Sequence, residues 1–370
     1  MKNSNKNTTA FFALLRAGLW EEDVRLSEYG EIDYSEVYRL ASEQSVVGLI
    51  AAGFEHVKDV KIPQDIALTI AGEVLQLEQR NVAMNAFISE LIEEMRNSDI
   101  YALLVKGQGV AQCYERPLWR ASGDVDFLLS DTNYKKARTV LSAFASNVEA
   151  EHLKTMHQAM RFGQWEVELH GTLRSKLGRR IDKGIERIQN EVFCGGSVRS
   201  WMNGHTQVFI PRADEDVIFV FTHILQHFFN GGIGLRQVCD WCRLLWTYKD
   251  SLDIKLLERR LKSMRLMSEW RAYAALVVEW LGMPIEAMPL YSPDERWKRK
   301  GDKVLNYIMR VGNMGHSRDW SFREKYSAPV RKIATLSRVT GDAMIQFAIF
   351  PLDAIRVWWL IVTKGLSEAV

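Results

Sequence analysis

Leu103–Leu129, LLVKGQGVAQCYERPLWRASGDVDFLL, is where the periodicity of this chain changes. Upstream, apolar residues recur every three or four positions. Here Tyr101–Val105 is a short apolar run that stops at Lys106-Gly107, the pattern of a buried strand meeting a turn. A short helix is expected over Gly109–Tyr114 and a second strand over Val125–Leu129. Asp131 or Thr132 is placed to cap a helix running through Ala145. Next comes AMRFGQWEVELH (Ala159–His170), two alternating segments joined by Gly163-Gln164. Glycine at the first central position of a two-residue loop signals a type II′ hairpin.

Outward from this stretch the chain reads helical. Residues 8–97 carry the helical period, with Asp33 and Glu36 spaced as a capping box. Pro63 sits where a first-turn proline belongs, ahead of a long helical pattern. From about Ile181 the helical period returns, interrupted by Thr206–Ile210 (TQVFI), which Pro211 stops. The expected fold class is α+β: a small mixed sheet domain embedded between a helical N-terminal arm and a mainly helical C-terminal domain. The expected boundaries are 1–97, 98–175 and 176–370.

The 370 residues are 47% hydrophobic and 25% charged, which excludes a disordered chain. A formal net charge of +2 argues against a duplex-DNA binder, which carries a basic excess to displace counterions. Four cysteines are too few and too scattered for a disulfide-stapled secreted domain. The first 24 residues read as an amphipathic helix and not a signal peptide, since Arg16 interrupts the apolar run. Near the end, Ala343–Leu366 is apolar but broken by Gln346, Pro351, Asp353 and Arg356, so no transmembrane segment is expected. Core helices are the expected fate of that stretch, ahead of peripheral membrane contact by the C-terminal helix. A reducing cytoplasm is the expected location.

Asp124 and Asp126 stand in SGDVDFLL. Residues two apart on a strand share a face, with Cα atoms roughly 6.6 Å apart, while Val125 and Phe127 point the other way. By the same arithmetic Glu166, Glu168 and His170 share one face of WEVELH. Were the two strands neighbours, three or four carboxylates would converge. Like charges that close repel unless a cation neutralises them, and Mg²⁺ is the usual hard partner. The bland alternative for either strand alone is a solvated sheet face. Gly107 and Gly109, just upstream, permit close backbone approach to a phosphate.

Taken together, these residues carry a resemblance. The run Leu103–Leu129 resembles the "LKG…Y…R.SGDIDLLV" pattern of an uncharacterised bacterial nucleotidyltransferase-like family within the DNA polymerase β-type superfamily. The likeness continues through HQAMRFGQWEVELHGTL (His157–Leu173) and, more weakly, FTHILQHFFNGGIGLRQVCDWCRLL (Phe221–Leu245). The resemblance implies a nucleotidyltransferase-type mixed sheet. It implies a nucleotidyl group (NMP) transferred from an NTP, such as ATP, to a hydroxyl acceptor: a small molecule, a sugar or a protein. Asp124 and Asp126 match the metal-binding acid pair and Glu168 the third carboxylate, which together would hold two Mg²⁺ ions, or Mn²⁺ in their place. Gly107 matches the glycine whose turn cradles the β,γ-phosphates. Lys106, Gln108, Arg120 and Ser122 are the accompanying nucleotide-binding candidates, with surface solvation the alternative for Lys106 and Arg120. Superfamily transferases carry Gly-Ser at the turn, where this chain has Gly107-Gln108. Glu166 shares the face and could replace Glu168 in this assignment.

The remaining candidates line up less sharply. His223 and His227 at i,i+4, with Cys239-x-x-Cys242, have the composition of a zinc site. Cysteines three apart inside a helical pattern also serve as small core residues. The resemblance favours a polar cluster of His223, His227, Arg236 and Asp240 lining the substrate cleft, against a plain network holding two domains together. His157 and His170 are further cleft-lining candidates. Gly231, Gly232 and Gly234 read as a helix C-cap and turn. Two other functions compete with nucleotidyl transfer. A sugar-nucleotide glycosyltransferase also uses Asp-x-Asp, yet it needs strands where residues 8–97 read helical. A non-catalytic binding or scaffold relative would fit the missing turn serine.

Overall fold

The computed structural model describes residues 2–153, 155–313 and 328–367. The N-terminal arm holds α1 (Lys2–Trp20), α2 (Tyr34–Glu43), α3 (Val47–Glu55) and the long α4 (Gln64–Asn97). Asp33 caps α2 by accepting from the Ser35 and Glu36 amides, but the Glu36 half of the expected capping box does not form, because Asn7 takes the Asp33 amide and Arg39 holds the Glu36 carboxylate. Pro63 is the residue before α4 and not in its first turn. Helices α1 and α3 cross so closely that a Cβ on Gly53 would lie 2.2 Å from the Leu14 carbonyl oxygen.

The central sheet is built from β1 (Ala102–Val105), β2 (Asp124–Leu129), β3 (Asn147–Val148), β4 (His157–Phe162) and β5 (Trp165–His170), in the order β1-β2-β5-β4-β3. Strands β2 and β5 are parallel and the other pairs antiparallel. Between them lie α5 (Gly107–Ala111) and α6 (Asp131–Ser142). Ser130, one residue before the expected caps, takes the N-cap of α6, its hydroxyl accepting from the Asn133 amide. Gly163, at φ 58, turns β4 into β5.

Alternation decides which face does what. Val125, Phe127 and Leu129 join a core with Met84, Ile88 and Ile92 of α4 and Tyr134 and Leu141 of α6. Leu103, Val105 and Leu128 face the other way, into the core of the helical half. Asp124 and Asp126 alternate with the first set and therefore look toward that half. The acids sit between two layers, where a cleft can form.

Beyond the sheet, α7 (Arg179–Phe193) precedes a second hairpin, β6 (Arg199–Asn203) with β7 (Thr206–Ile210). Strand β7 was expected, whereas β6 falls in a stretch read as helical. The hairpin packs beside β1, and its Val208 and Ile210 join the core under the sheet. The remainder is helical: α8 (Ala213–Asn230), α9 (Leu235–Thr247), α10 (Ile254–Met264), α11 (Met267–Leu281), α12 (Glu295–Val311), α13 (Ala328–Phe347) and α14 (Pro351–Ser367). Gly231, left-handed at φ 98, ends α8 as the C-cap reading requires. The apolar C-terminal stretch divides into α13 and α14 near Pro351, and among the described residues no helix is long and apolar enough to cross a membrane.

Candidate active site

Parallel pairing of β2 with β5 puts Asp124 beside Glu166, Asp126 beside Glu168 and Leu128 beside His170. Among the described residues, Asp124, Asp126 and Glu168 each bring a carboxylate oxygen within 4.8 Å of the other two. Glu166 does not join them; it lies 3.6 Å from the Arg161 guanidinium on β4.

Asp126 is the buried centre, 2% exposed. The Lys106 ammonium donates to its Oδ1 at 2.9 Å, and His170 Nε2 lies 2.7 Å from the same oxygen. Burial opposes ionisation of Asp126, but Lys106 and His170 outweigh it and hold the carboxyl below its ordinary value. Glu168 has the same balance: burial raises it, while the His157 and His170 imidazoles at 3.2 and 3.3 Å bring it far below the usual carboxylate range. Asp124, at the open end of the strand, is raised, chiefly by the Asp126 charge beside it and then by burial. The protein's own cations leave that acid pair under-neutralised. Three convergent carboxylates, one of them pushed up by its neighbour, are a donor set that fits a hard divalent cation.

Lys106 reaches the acids from a backbone conformation, φ 58 and ψ −144, that glycine adopts readily and lysine does not. Gly107 follows at φ 38. The turn is braced from below: Gln108 donates to Asn81 Oδ1 at 2.8 Å, and Asn81 Nδ2 donates to the Leu118 and Arg120 carbonyls at 2.7 and 2.8 Å. The Gln108 side chain is thereby buried on Asn81 and does not line the cleft. Ser122 Oγ accepts from Arg120 at 2.8 Å and Gln108 at 3.3 Å, leaving its own hydrogen to donate.

The opposite wall comes from α8 and α9. Arg120 is bound bidentately to Asp240, Nε to Oδ1 and Nη2 to Oδ2, both at 2.7 Å, and Tyr114 donates to Asp240 Oδ1 at 2.8 Å. This buried pair joins the sheet domain to α9 and leaves Arg120 committed to a carboxylate. Arg236 donates to the Ala121 carbonyl, while its Nε is buried without a partner. His223 and His227 pack edge to face with centroids 4.4 Å apart. Burial, then the Lys106 charge, keeps both neutral: His223 falls well below its ordinary value and His227 to about 4. Cys239 and Cys242 are fully buried in the helical core, and among the described residues neither joins a group of metal-ligating side chains with the histidines.

All these walls enclose one cleft of about 730 Å³, lined by Lys106, Gly107, the acid triad and the two histidine pairs as well as by Arg120, Ser122, Glu166, Arg236 and Asp240. Thr172, Arg174, Lys176 and Gln237 also line it and were missed in the sequence. The segment Thr172–Lys176 follows the end of β5 at His170 after Gly171 alone, so its adjacency to the acidic strand was the available signal.

A strand–turn–helix unit feeding an acid–apolar–acid strand, with a third acid alongside, is the arrangement that the resemblance to nucleotidyltransferases implies. The profile of a family described as "Uncharacterised nucleotidyltransferase" matches residues 30–282, well over half of the chain. The chain belongs to that family. No curated protein and no solved structure matches it.

Proposed function

We propose that the protein transfers a nucleotidyl group from an NTP to the hydroxyl of a small-molecule, sugar or protein acceptor. The observation that carries this reading is the convergence of Asp124, Asp126 and Glu168 oxygens within 4.8 Å, next to the Lys106-Gly107 turn in one cleft. Asp124, Asp126 and Glu168 would hold Mg²⁺, or Mn²⁺ in its place. When bound, such ions supply charge neutralisation at the α-phosphate and a more acidic acceptor hydroxyl, the chemistry of two-metal displacement.

The chain's own residues account for the rest. Lys106 moves from Asp126 toward the triphosphate once another cation neutralises the carboxylates. The Gly107 turn admits phosphate oxygens to the backbone, and Ser122 donates its free hydroxyl hydrogen to them. Arg236, with an unpartnered Nε, supplies the guanidinium that Arg120 cannot, because Asp240 holds it. Neutral His223 and His227 offer hydrogen bonds to acceptor hydroxyls without adding charge. The acceptor oxygen forms the new bond to the α-phosphorus and gives up its hydroxyl proton to solvent as the α–β bridging bond breaks and pyrophosphate leaves.

Binding of a non-hydrolysable NTP, measured calorimetrically with and without Mg²⁺, tests the reading. Wild type binds only with the cation and Asp126→Asn does not bind. Equal binding by both proteins, or by neither, would contradict it.

A further inference from the structure

The acid triad is not the only convergent ligand set on this sheet. His157 and His170 are direct cross-strand partners on β4 and β5, and Ala159 is the partner of Glu168. His170 and Glu168, two apart on one strand, share its face. Ala159 carries only a methyl, so nothing larger on β4 stands between Glu168 and the imidazoles. Both rings present the same nitrogen to the same oxygen: His157 Nε2 at 3.2 Å and His170 Nε2 at 3.3 Å from Glu168 Oε2. The ring centroids are 4.9 Å apart. Among the described residues, ligand atoms of His157, Glu168 and His170 all lie within 4.8 Å of one another, and all three line the cleft.

We propose that His157, Glu168 and His170 form a mixed nitrogen–oxygen metal site that takes a first-row transition dication in preference to Mg²⁺. His157 Nε2 faces Glu168 Oε2, while His170 Nε2 lies between that oxygen and Asp126 Oδ1 at 2.7 Å. In the Nδ1–H tautomer each Nε2 carries a lone pair aimed at the same spot. Two imidazoles and a carboxylate are poor ligands for Mg²⁺, which prefers oxygen donors and retains its waters. They suit the later first-row ions, whose affinity for nitrogen ligands follows the Irving–Williams order. Glu168 is shared with the all-carboxylate triad, so the site rests on the transfer reading only through that one residue. The two histidines make the centre's metal preference a property of β4 as well as of β2 and β5.

The test uses tag-free, full-length protein stripped with a chelator and titrated with Co²⁺, whose visible absorption reports nitrogen ligation. The expected result is saturable binding with ligand-field bands that a large excess of Mg²⁺ does not remove. His157→Gln and His170→Gln lower Co²⁺ affinity at least as much as loss of an outer-shell partner does, about 10–100-fold. Pulsed electron paramagnetic resonance of one equivalent of Cu²⁺ bound to wild type shows nitrogen coupling, a readout that needs no variant to fold. Unchanged Co²⁺ affinity and bands in both variants, displacement of Co²⁺ by equimolar Mg²⁺, or absence of nitrogen coupling would each overturn the proposal. NTP binding in Mg²⁺ is measured in parallel. Histidine-dependent Co²⁺ binding without any NTP binding sustains this site and removes the transfer reading. Mg²⁺-dependent NTP binding with histidine-independent Co²⁺ binding does the reverse.

Discussion

Asp126 and Glu168 stand side by side in parallel register on β2 and β5, and against the cost of burial both are held below their ordinary values by side chains of the protein itself. Lys106 and His170 share one oxygen of Asp126, while His157 and His170 share one oxygen of Glu168. The site is therefore a charge cluster already balanced in part, and under the proposed function a divalent ion would enter by displacing Lys106 and the imidazoles from the carboxylates. Asp124, raised by its neighbour, is the acid with most to gain from that entry.

Replacing Lys106 by methionine removes the ammonium and, among the described residues, leaves His170 as the one side chain paired with Asp126. The variant should lose about 1–3 kcal/mol of stability in the absence of divalent ions, the penalty of a buried charge short of one partner. Added Mg²⁺ should raise its melting temperature more than that of wild type. Differential scanning fluorimetry with and without Mg²⁺ reads both effects, and equal Mg²⁺ responses would count against the cation-exchange account.

The Arg120–Asp240 pair ties the sheet domain to α9 through two 2.7 Å bonds in a buried setting. Asp240→Ala leaves the guanidinium buried and unpaired, at an expected cost of about 3–5 kcal/mol. Urea denaturation followed by far-UV circular dichroism measures it. A loss below about 1 kcal/mol would show that water replaces the carboxylate and that the pair does not hold the domains.

Glu269 on α11 is 3% exposed, and burial, then Asp353 at the start of α14, push its carboxyl from the ordinary 4.5 up to about 8. Its folded value is raised, so the unfolded chain ionises first as pH rises. Stability from this group is complete below about pH 4.5, declines through the window up to about pH 8, and is level above it. Glu269→Gln should remove that decline and stabilise the protein at pH 8.5 by on the order of 2–4 kcal/mol. Denaturation at pH 6 and pH 8.5 compares the two proteins; parallel pH slopes would sink the idea.

Gly53→Ala forces a methyl against the Leu14 carbonyl at 2.2 Å. Backbone, not a flexible side chain, must give way, so a loss above about 2 kcal/mol is expected. A melting temperature within a degree of wild type would mean that α1 and α3 can separate without cost.

The site was legible wherever a period of two put chemistry on one face. Asp124, Asp126 and Glu168 could be paired on paper, but the strand order that makes β2 and β5 neighbours could not, since pairing across a long separation leaves no local mark. That is why Glu166 stayed open beside Glu168, although only the Glu168 carboxylate converges with the two aspartates. Local turn chemistry was legible and still only half used. Gly163-Gln164 marked one hairpin, while Gly204-His205 between β6 and β7, with Gly204 at φ 61, carries the same signal inside a stretch read as helical. Gln108 shows the opposite limit. Its position in the chain is that of a phosphate-contacting residue, but a buried Asn81 on α4 claims its side chain, and no short window of sequence contains both.

The most direct measurement of the central claim is a structure of the protein with Mg²⁺ and a non-hydrolysable NTP. The account predicts metal density among the Asp124, Asp126 and Glu168 carboxylates, the triphosphate along the Lys106-Gly107 turn, and the Lys106 ammonium moved off Asp126 onto phosphate. A nucleotide bound elsewhere, or a cleft in which Lys106 remains on Asp126 and no metal enters at saturating NTP and Mg²⁺, would contradict it.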